Sequence, residues 1–421
     1  MKPICKVFDS GLRAVFTKVG KNRPTSIFVA VGVGSNKENL SNNGISHFVE
    51  HLNFKGTSKR TAQQISMEFE DIGASANAWT SKVATCFYAT TLPENMEHCC
   101  EILSDIVLNS TYSEEDIDKE RKVVYEEIDM TSDDPESVAF DIFCKQFFEG
   151  NTLSQSVLGS KESLSKITRE DIIDFVNKNY TPDNMVVSIV GDYDKEYVFD
   201  TVAKIFDSKF NSKNKILKKA HNQNFIPQKS FLQTQADFNQ TQVAIGFPCD
   251  NCFTKDKMNY ALLCFILGGS MSSRLFQKVR EENGLVYSIS CVPEYYTNAG
   301  DICIAFGTSE KNVKKALELV RDEVKLLVQK GITDEELARA KTFCKSLLLS
   351  SFESTSSIAR AVATSYLTFD RFISVDERLH SLQKANKEDI NALAKRTFDF
   401  DKSVTVVLTK NKVKGLENIF D

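Results

Sequence analysis

One order of elements occurs twice in this 421-residue sequence, and few folds accommodate such a repeat. In the first half, the extended apolar run Ser26-Ile27-Phe28-Val29-Ala30-Val31-Gly32 precedes a helix-like stretch at 46–54 and a second extended run at 83–92. A helix follows with Cys99, Ile102, Leu103, Ile106 and Val107 on one face. The capping pattern Ser113-Glu114-Glu115-Asp116 then opens another helix. The second half repeats that order with Gln242–Gly246, an apolar helix through Phe265, an extended run at 301–306, and a helix with Val313, Ala316, Leu317, Val320, Val324 and Leu327 on one face. There the cap is Thr333-Asp334-Glu335-Glu336, 220 residues after its counterpart, and the extended runs lie 214 apart. Such a steady offset points to a duplicated α+β domain. Between the halves, Lys209, Lys213, Lys215, Lys218, Lys219 and Lys229 alternate with polar residues and hydrophobic periodicity disappears. The expected division is therefore a domain at 1–208, a lysine-rich linker at 209–231 and a second domain at 232–421.

Charge and composition narrow the class. Lys and Arg total 52 against 57 Asp and Glu, a net charge of −5 without basic tracts, which argues against a nucleic-acid partner. No apolar run approaches the roughly 20 residues of a membrane span. The N-terminus has no secretory or transit pattern and reads at once as a β-hairpin turning at Asp9-Ser10-Gly11, so no targeting segment is expected. The 11 cysteines are odd in number and mostly inside apolar runs, which fits a reducing cytoplasm. Cys249-Asp250-Asn251-Cys252 is a lone CxxC without a second pair, and no redox or metal role is assigned to it.

The chemistry concentrates in two short segments. Two of only five histidines fall in His47-Phe48-Val49-Glu50-His51. On a helix, the i,i+4 spacing puts both imidazoles on one face, and Glu50 projects toward the same side. Catalytic zinc takes three protein ligands, commonly two His and one Glu, and a nearby free carboxylate can accept a proton from water. A third ligand must come from elsewhere. Glu120 and Glu127, seven apart on the amphipathic helix Glu120-Arg121-Lys122-Val123-Val124-Tyr125-Glu126-Glu127-Ile128, share one face. From spacing, either could bind the metal while the other hydrogen-bonds a ligand.

His-x-x-Glu-His is the inverzincin signature. The longer run His47-Phe48-Val49-Glu50-His51-Leu52-Asn53-Phe54-Lys55-Gly56-Thr57 closely resembles the family of pitrilysin, insulin-degrading enzyme and mitochondrial processing peptidase, above all its compact bacterial branch. The resemblance implies two homologous domains, each a mixed, mostly antiparallel β-sheet packed with helices. It implies one Zn2+ per chain on His47, His51 and Glu127, with Glu50 as general base and Glu120 as a supporting acidic catalytic residue. The run Gly73-Ala74-Ser75-Ala76-Asn77-Ala78-Trp79-Thr80 resembles the segment preceding the family's substrate-binding edge strand, which makes Asn77 and Ala78 substrate contacts and Trp79 a departure from the usual smaller aromatic. In the second half, Arg280 and Tyr287 resemble the Arg/Tyr pair that holds the substrate backbone. The counterpart of the zinc helix, near 261–271, has no histidine, and that of Glu127 falls near Leu347. The implied activity is zinc-dependent endopeptidase action on peptides or unstructured polypeptide, by a homodimer. The rival readings are a non-catalytic scaffold of the same fold and the catalytic subunit of a heterodimer.

Overall fold

The structure is a computed structural model that describes residues 2–210 and 225–420. Most of the lysine-rich linker expected at 209–231 lies outside the described residues.

Among the described residues, eleven strands form two sheets. The first six are β1 (Ile4–Val7), β2 (Arg13–Lys18), β3 (Thr25–Val31), β4 (Ser75–Thr80), β5 (Thr85–Thr91) and β6 (Met185–Gly191), ordered β1-β2-β6-β3-β5-β4. The rest are β7 (Ser230–Gln235), β8 (Thr241–Pro248), β9 (Val286–Tyr295), β10 (Gly300–Thr308) and β11 (Val404–Thr409), ordered β7-β11-β8-β10-β9. With β1 set aside, the two sheets follow one path. In each, a single parallel pair, β2 with β6 or β7 with β11, is followed by antiparallel neighbours. The duplicated, mostly antiparallel α+β architecture is thus present strand for strand, and β1–β2 is the expected N-terminal hairpin.

The helices are α1 (Ile45–Leu52), α2 (Ala62–Asp71), α3 (Met96–Leu108), α4 (Glu114–Ser132), α5 (Pro135–Phe147), α6 (Lys161–Lys166), α7 (Arg169–Asn179) and α8 (Lys195–Ile205). In the second half they are α9 (Lys257–Gly268), α10 (Val313–Lys330), α11 (Asp334–Ser350), α12 (Thr355–Phe369), α13 (Val375–Lys384) and α14 (Lys387–Thr397). Both expected capping sites hold: Ser113 Oγ accepts from Asp116 N at 3.1 Å, and Thr333 Oγ1 from Glu336 N at 3.1 Å. The stripes assigned to α3 and α10 are buried throughout.

The compact units differ from the two contiguous halves. One comprises 2–128, 155–210 and 349–374; the other comprises 129–154, 225–348 and 375–420. The difference from 1–208 and 232–421 has a packing cause. α5, encoded in the first half, lies against β8 and β11, whereas its counterpart α12 lies against β3 and β6. Gly246 on β8 accepts α5 because a Cβ there would come within 2.4 Å of the Phe143 ring. α12 instead offers small Ala359 and Ala363 to the cluster around Phe28 and Ala30. A phenylalanine helix over glycine and an alanine helix over larger residues are complementary shapes that do not interchange. Covered on both faces, β3 is wholly buried, which explains its continuous apolar run.

Arg13 of β2, 3 % exposed, ties α12 to this sheet. Its guanidinium donates to Tyr366 O at 3.1 Å, Asp370 Oδ1 at 2.5 Å and Asp183 O at 3.0 Å. Two of these acceptors close the C-terminal end of α12, where a cation also meets the helix dipole. Arg13→Met is expected to cost about 2–4 kcal/mol by leaving these acceptors unpaired. Denaturant unfolding with amide exchange over α12 measures it, and a change below about 0.5 kcal/mol, the usual scatter for a surface substitution, would show the tie to be dispensable.

Candidate metal centre and active site

α1 is short and stands on its apolar side: Ile45, Phe48, Val49 and Leu52 are buried. The opposite side carries His47, Glu50 and His51. The start of α1 needs a left-handed residue, Gly44 at φ 95°, which has no side chain to cap the helix. Glu38 supplies the cap from six residues upstream, accepting from Gly44 N at 2.7 Å, Ser46 N at 2.8 Å and Asn43 Nδ2 at 2.8 Å. Its burial raises the carboxyl pKa against the lowering effect of those bonds. This anchor escaped the sequence reading, because no helix-capping spacing links Glu38 to α1.

α4 brings both expected glutamates to α1, on different ring nitrogens of His51. Glu127 Oε1 lies 3.7 Å from His47 Nε2 and its Oε2 lies 3.4 Å from His51 Nε2. Glu120, 5 % exposed, faces the other side of His51, with Oε1 2.9 Å from Nδ1 and Oε2 2.6 Å from Lys55 Nζ. Ligand atoms of His47, His51 and Glu127 all lie within 4.8 Å of one another, so the three can hold a metal ion together. Donors around tetrahedral zinc at about 2.0–2.2 Å stand roughly 3.3 Å apart, close to the contacts found here. The donor set therefore fits zinc, and Glu120 stands at the other ring nitrogen of His51, where a carboxylate can orient a metal-bound imidazole.

The electrostatics follow from this packing. Burial lowers His47 to about 4, assisted by the charge on His51 and opposed by Glu127. Burial also disfavours charge on His51, but bonds to Glu120 and Glu127 outweigh it and raise that imidazole to about 9. Glu120 is held below the usual range because His51 and Lys55 overcome its desolvation. Glu50 moves upward through burial, opposed by the Thr80 hydroxyl that donates to its Oε2.

That Thr80 contact joins the centre to β4. The run Gly73–Thr80 is not the segment before an edge strand: Ser75–Thr80 is itself the strand, at the open edge of its sheet. Asn77 and Ala78 lie at its middle, and Asn77 Oδ1 accepts from Ala78 N at 2.8 Å.

The second unit brings Arg280 and Tyr287 to each other. Arg280 follows Phe276 in a π-helical segment, and its guanidinium stands 4.6 Å from the Phe276 ring centroid and 5.2 Å from that of Tyr287. Tyr287 is 81 % exposed on β9, the edge strand of that sheet. The zinc-helix counterpart is α9, with no histidine, and Leu347 lies on α11 with half of its surface exposed. Cys249 and Cys252 are buried, and burial raises the Cys249 thiol far from reactivity. Among the described residues no disulfide links any of the 11 cysteines. Among the described residues, no helix is long and apolar enough to cross a membrane.

Residues 15–161 match the family described as Insulinase (Peptidase family M16), and residues 166–343 match the Peptidase M16 inactive domain. A Bacillus subtilis protein named as the uncharacterized zinc protease YmxG is 33 % identical over 95 % of this chain and 96 % of its own. A Rickettsia felis protein, also named as an uncharacterized zinc protease, is 31 % identical over 96 % of this chain and 98 % of its own. Among solved structures, the peptidase M16 inactive domain from Pseudomonas fluorescens superposes with a TM-score of 0.91 at 18 % identity, covering 99 % of both chains. A protease from Helicobacter pylori superposes with 0.87 at 23 % identity, covering 97 % of this chain and 99 % of its own.

Proposed function

The chain belongs to peptidase family M16, and on that premise we propose that it is a zinc-dependent endopeptidase acting on peptides and unstructured polypeptide segments. The observation that carries the reading is the convergence of His47, His51 and Glu127 beside Glu50, with Glu50 hydrogen-bonded to the last residue of an open edge strand.

His47, His51 and Glu127 would hold the metal, which supplies Lewis acidity to the attacking water and the scissile carbonyl. Glu50 takes the proton from the attacking water and passes it to the leaving amine. Glu120, braced by Lys55, keeps His51 Nδ1 occupied so that Nε2 faces the metal. A substrate segment adds as a strand along β4 at Asn77 and Ala78, so binding draws on main-chain bonds and demands flexibility more than a particular sequence. Arg280 and Tyr287 hold the substrate backbone and donate toward the oxyanion that forms in amide hydrolysis. Both residue sets lie on one chain, so no second kind of subunit is needed, and a homodimer is the assembly this reading carries. The mostly buried cysteines, without a disulfide among the described residues, support a reducing, cytoplasmic setting.

The test is incubation of the purified chain with a pool of unstructured peptides, as isolated, after chelation and after zinc return. Cleavage that vanishes on chelation and comes back with zinc is expected by mass spectrometry. Intact peptides beside stoichiometric zinc would sink the isolated-enzyme reading in favour of a scaffold or a missing partner subunit.

A further inference from the structure

The β4 ladder shows what an added strand would meet. Trp79 pairs with Cys86 and Asn77 with Tyr88, and Ser81 N bonds Ala84 O at 2.8 Å in the same series. Antiparallel bonds alternate along a strand, so the main-chain groups of Ala76, Ala78 and Thr80 face the open side. The Ala78 N–H, taken up by the Asn77 side chain, agrees with that assignment. Side chains alternate as well. Ala76 and Ala78 pack into the core on the α1 side and Thr80 reaches Glu50, whereas Trp79 joins the cluster beneath α12.

Arg360 of α12 covers Trp79 on that second side, its guanidinium 5.4 Å from the ring centroid. Arg360 is exposed, and among the described residues no carboxylate pairs with it. A cation–π contact draws a guanidinium to the ring without engaging its N–H groups in a hydrogen bond. The residue of an added strand opposite Trp79 would set its side chain on the same face, about 5 Å across.

Resting on the strand-addition peptidase reading above, we propose that Trp79 and Arg360 form a subsite for an acidic side chain of the substrate. That side chain belongs to the residue next to the one beside Thr80 and Glu50. Its aliphatic part lies along the indole, and its carboxylate takes two parallel N–H bonds from Arg360. The chain therefore prefers peptides with Asp or Glu close to the cut bond.

Trp79 is the only tryptophan in the sequence, so fluorescence excited selectively at tryptophan reports this position alone. The probes are two unstructured peptides, identical except for Glu or Gln at the residue opposite Trp79, titrated into the zinc-loaded Glu50→Gln variant. The Glu peptide is expected to bind about three- to fivefold more tightly, the upper range for a solvent-accessible ion pair. Adding Arg360→Met is expected to bring the two affinities together. Equal binding before that change, or a preference that survives it, would overturn the subsite and leave the peptidase reading standing. If neither peptide alters Trp79 fluorescence and the zinc-loaded wild type cuts neither, the strand-addition reading itself fails and the subsite falls with it.

Discussion

Glu50→Gln is expected to lower peptide hydrolysis about 10³-fold while zinc content stays at the wild-type level. The separation follows from the geometry of one helix. His47 and His51 meet Glu127 on one side, and their contacts to it do not pass through Glu50. Glu50 stands between them in sequence but bonds Thr80 on β4. An amide of the same shape still accepts the Thr80 hydroxyl, so α1 and the strand edge keep their positions. What disappears is an oxygen able to take a proton from water. Single-turnover cleavage beside metal analysis checks this. A variant that keeps its activity to within tenfold would move the base to another group, and one that loses zinc as well would make Glu50 part of the metal shell.

The parts of this site written in the sequence are those set by local periodicity. His47 and His51 share a face because a helix repeats every 3.6 residues, and Glu120 and Glu127 share one for the same reason. The internal offset likewise exposed the duplication, since each strand and helix carries its own pattern. What spacing left open was long-range. It could not say which glutamate meets which imidazole nitrogen, because α4 can approach α1 in either register until both are packed. It did not reveal that α5 and α12 each join the unit built mainly from the other half, because an apolar stripe records burial and not its partner. The complementarity lies in pairs such as Phe143 with Gly246, about a hundred residues apart. Arg360 over Trp79 spans a still longer stretch of chain, and neither residue has a local signal for the other. Glu38 was hidden differently: its contacts are close in sequence, but they cross an irregular loop in which no periodicity applies.

Substituting the two α4 glutamates is expected to separate their roles. Glu127→Ala removes one of three donors within reach of one another, leaving two imidazoles on a single helix. Zinc then should not survive desalting, and hydrolysis should fall to background. Glu120→Ala leaves all three donors in place and removes the carboxylate whose Oε1 lies 2.9 Å from His51 Nδ1. That loss is expected to weaken zinc binding about 10- to 100-fold, as for other carboxylates that orient a ligating histidine. Activity should then return at saturating zinc. Titration against a chromophoric chelator, followed by assay across zinc concentrations, distinguishes the two. Lys55 sharpens the contrast, since its ammonium lies 2.6 Å from Glu120 Oε2 and would lose its partner, with little direct effect on the donors. If the effects came out reversed, with Glu120→Ala free of zinc and Glu127→Ala rescued by excess metal, the ligand would be Glu120. α4 would then have to turn toward α1, breaking the bond between Glu120 and His51 Nδ1 to bring a carboxylate oxygen round to the Nε2 side.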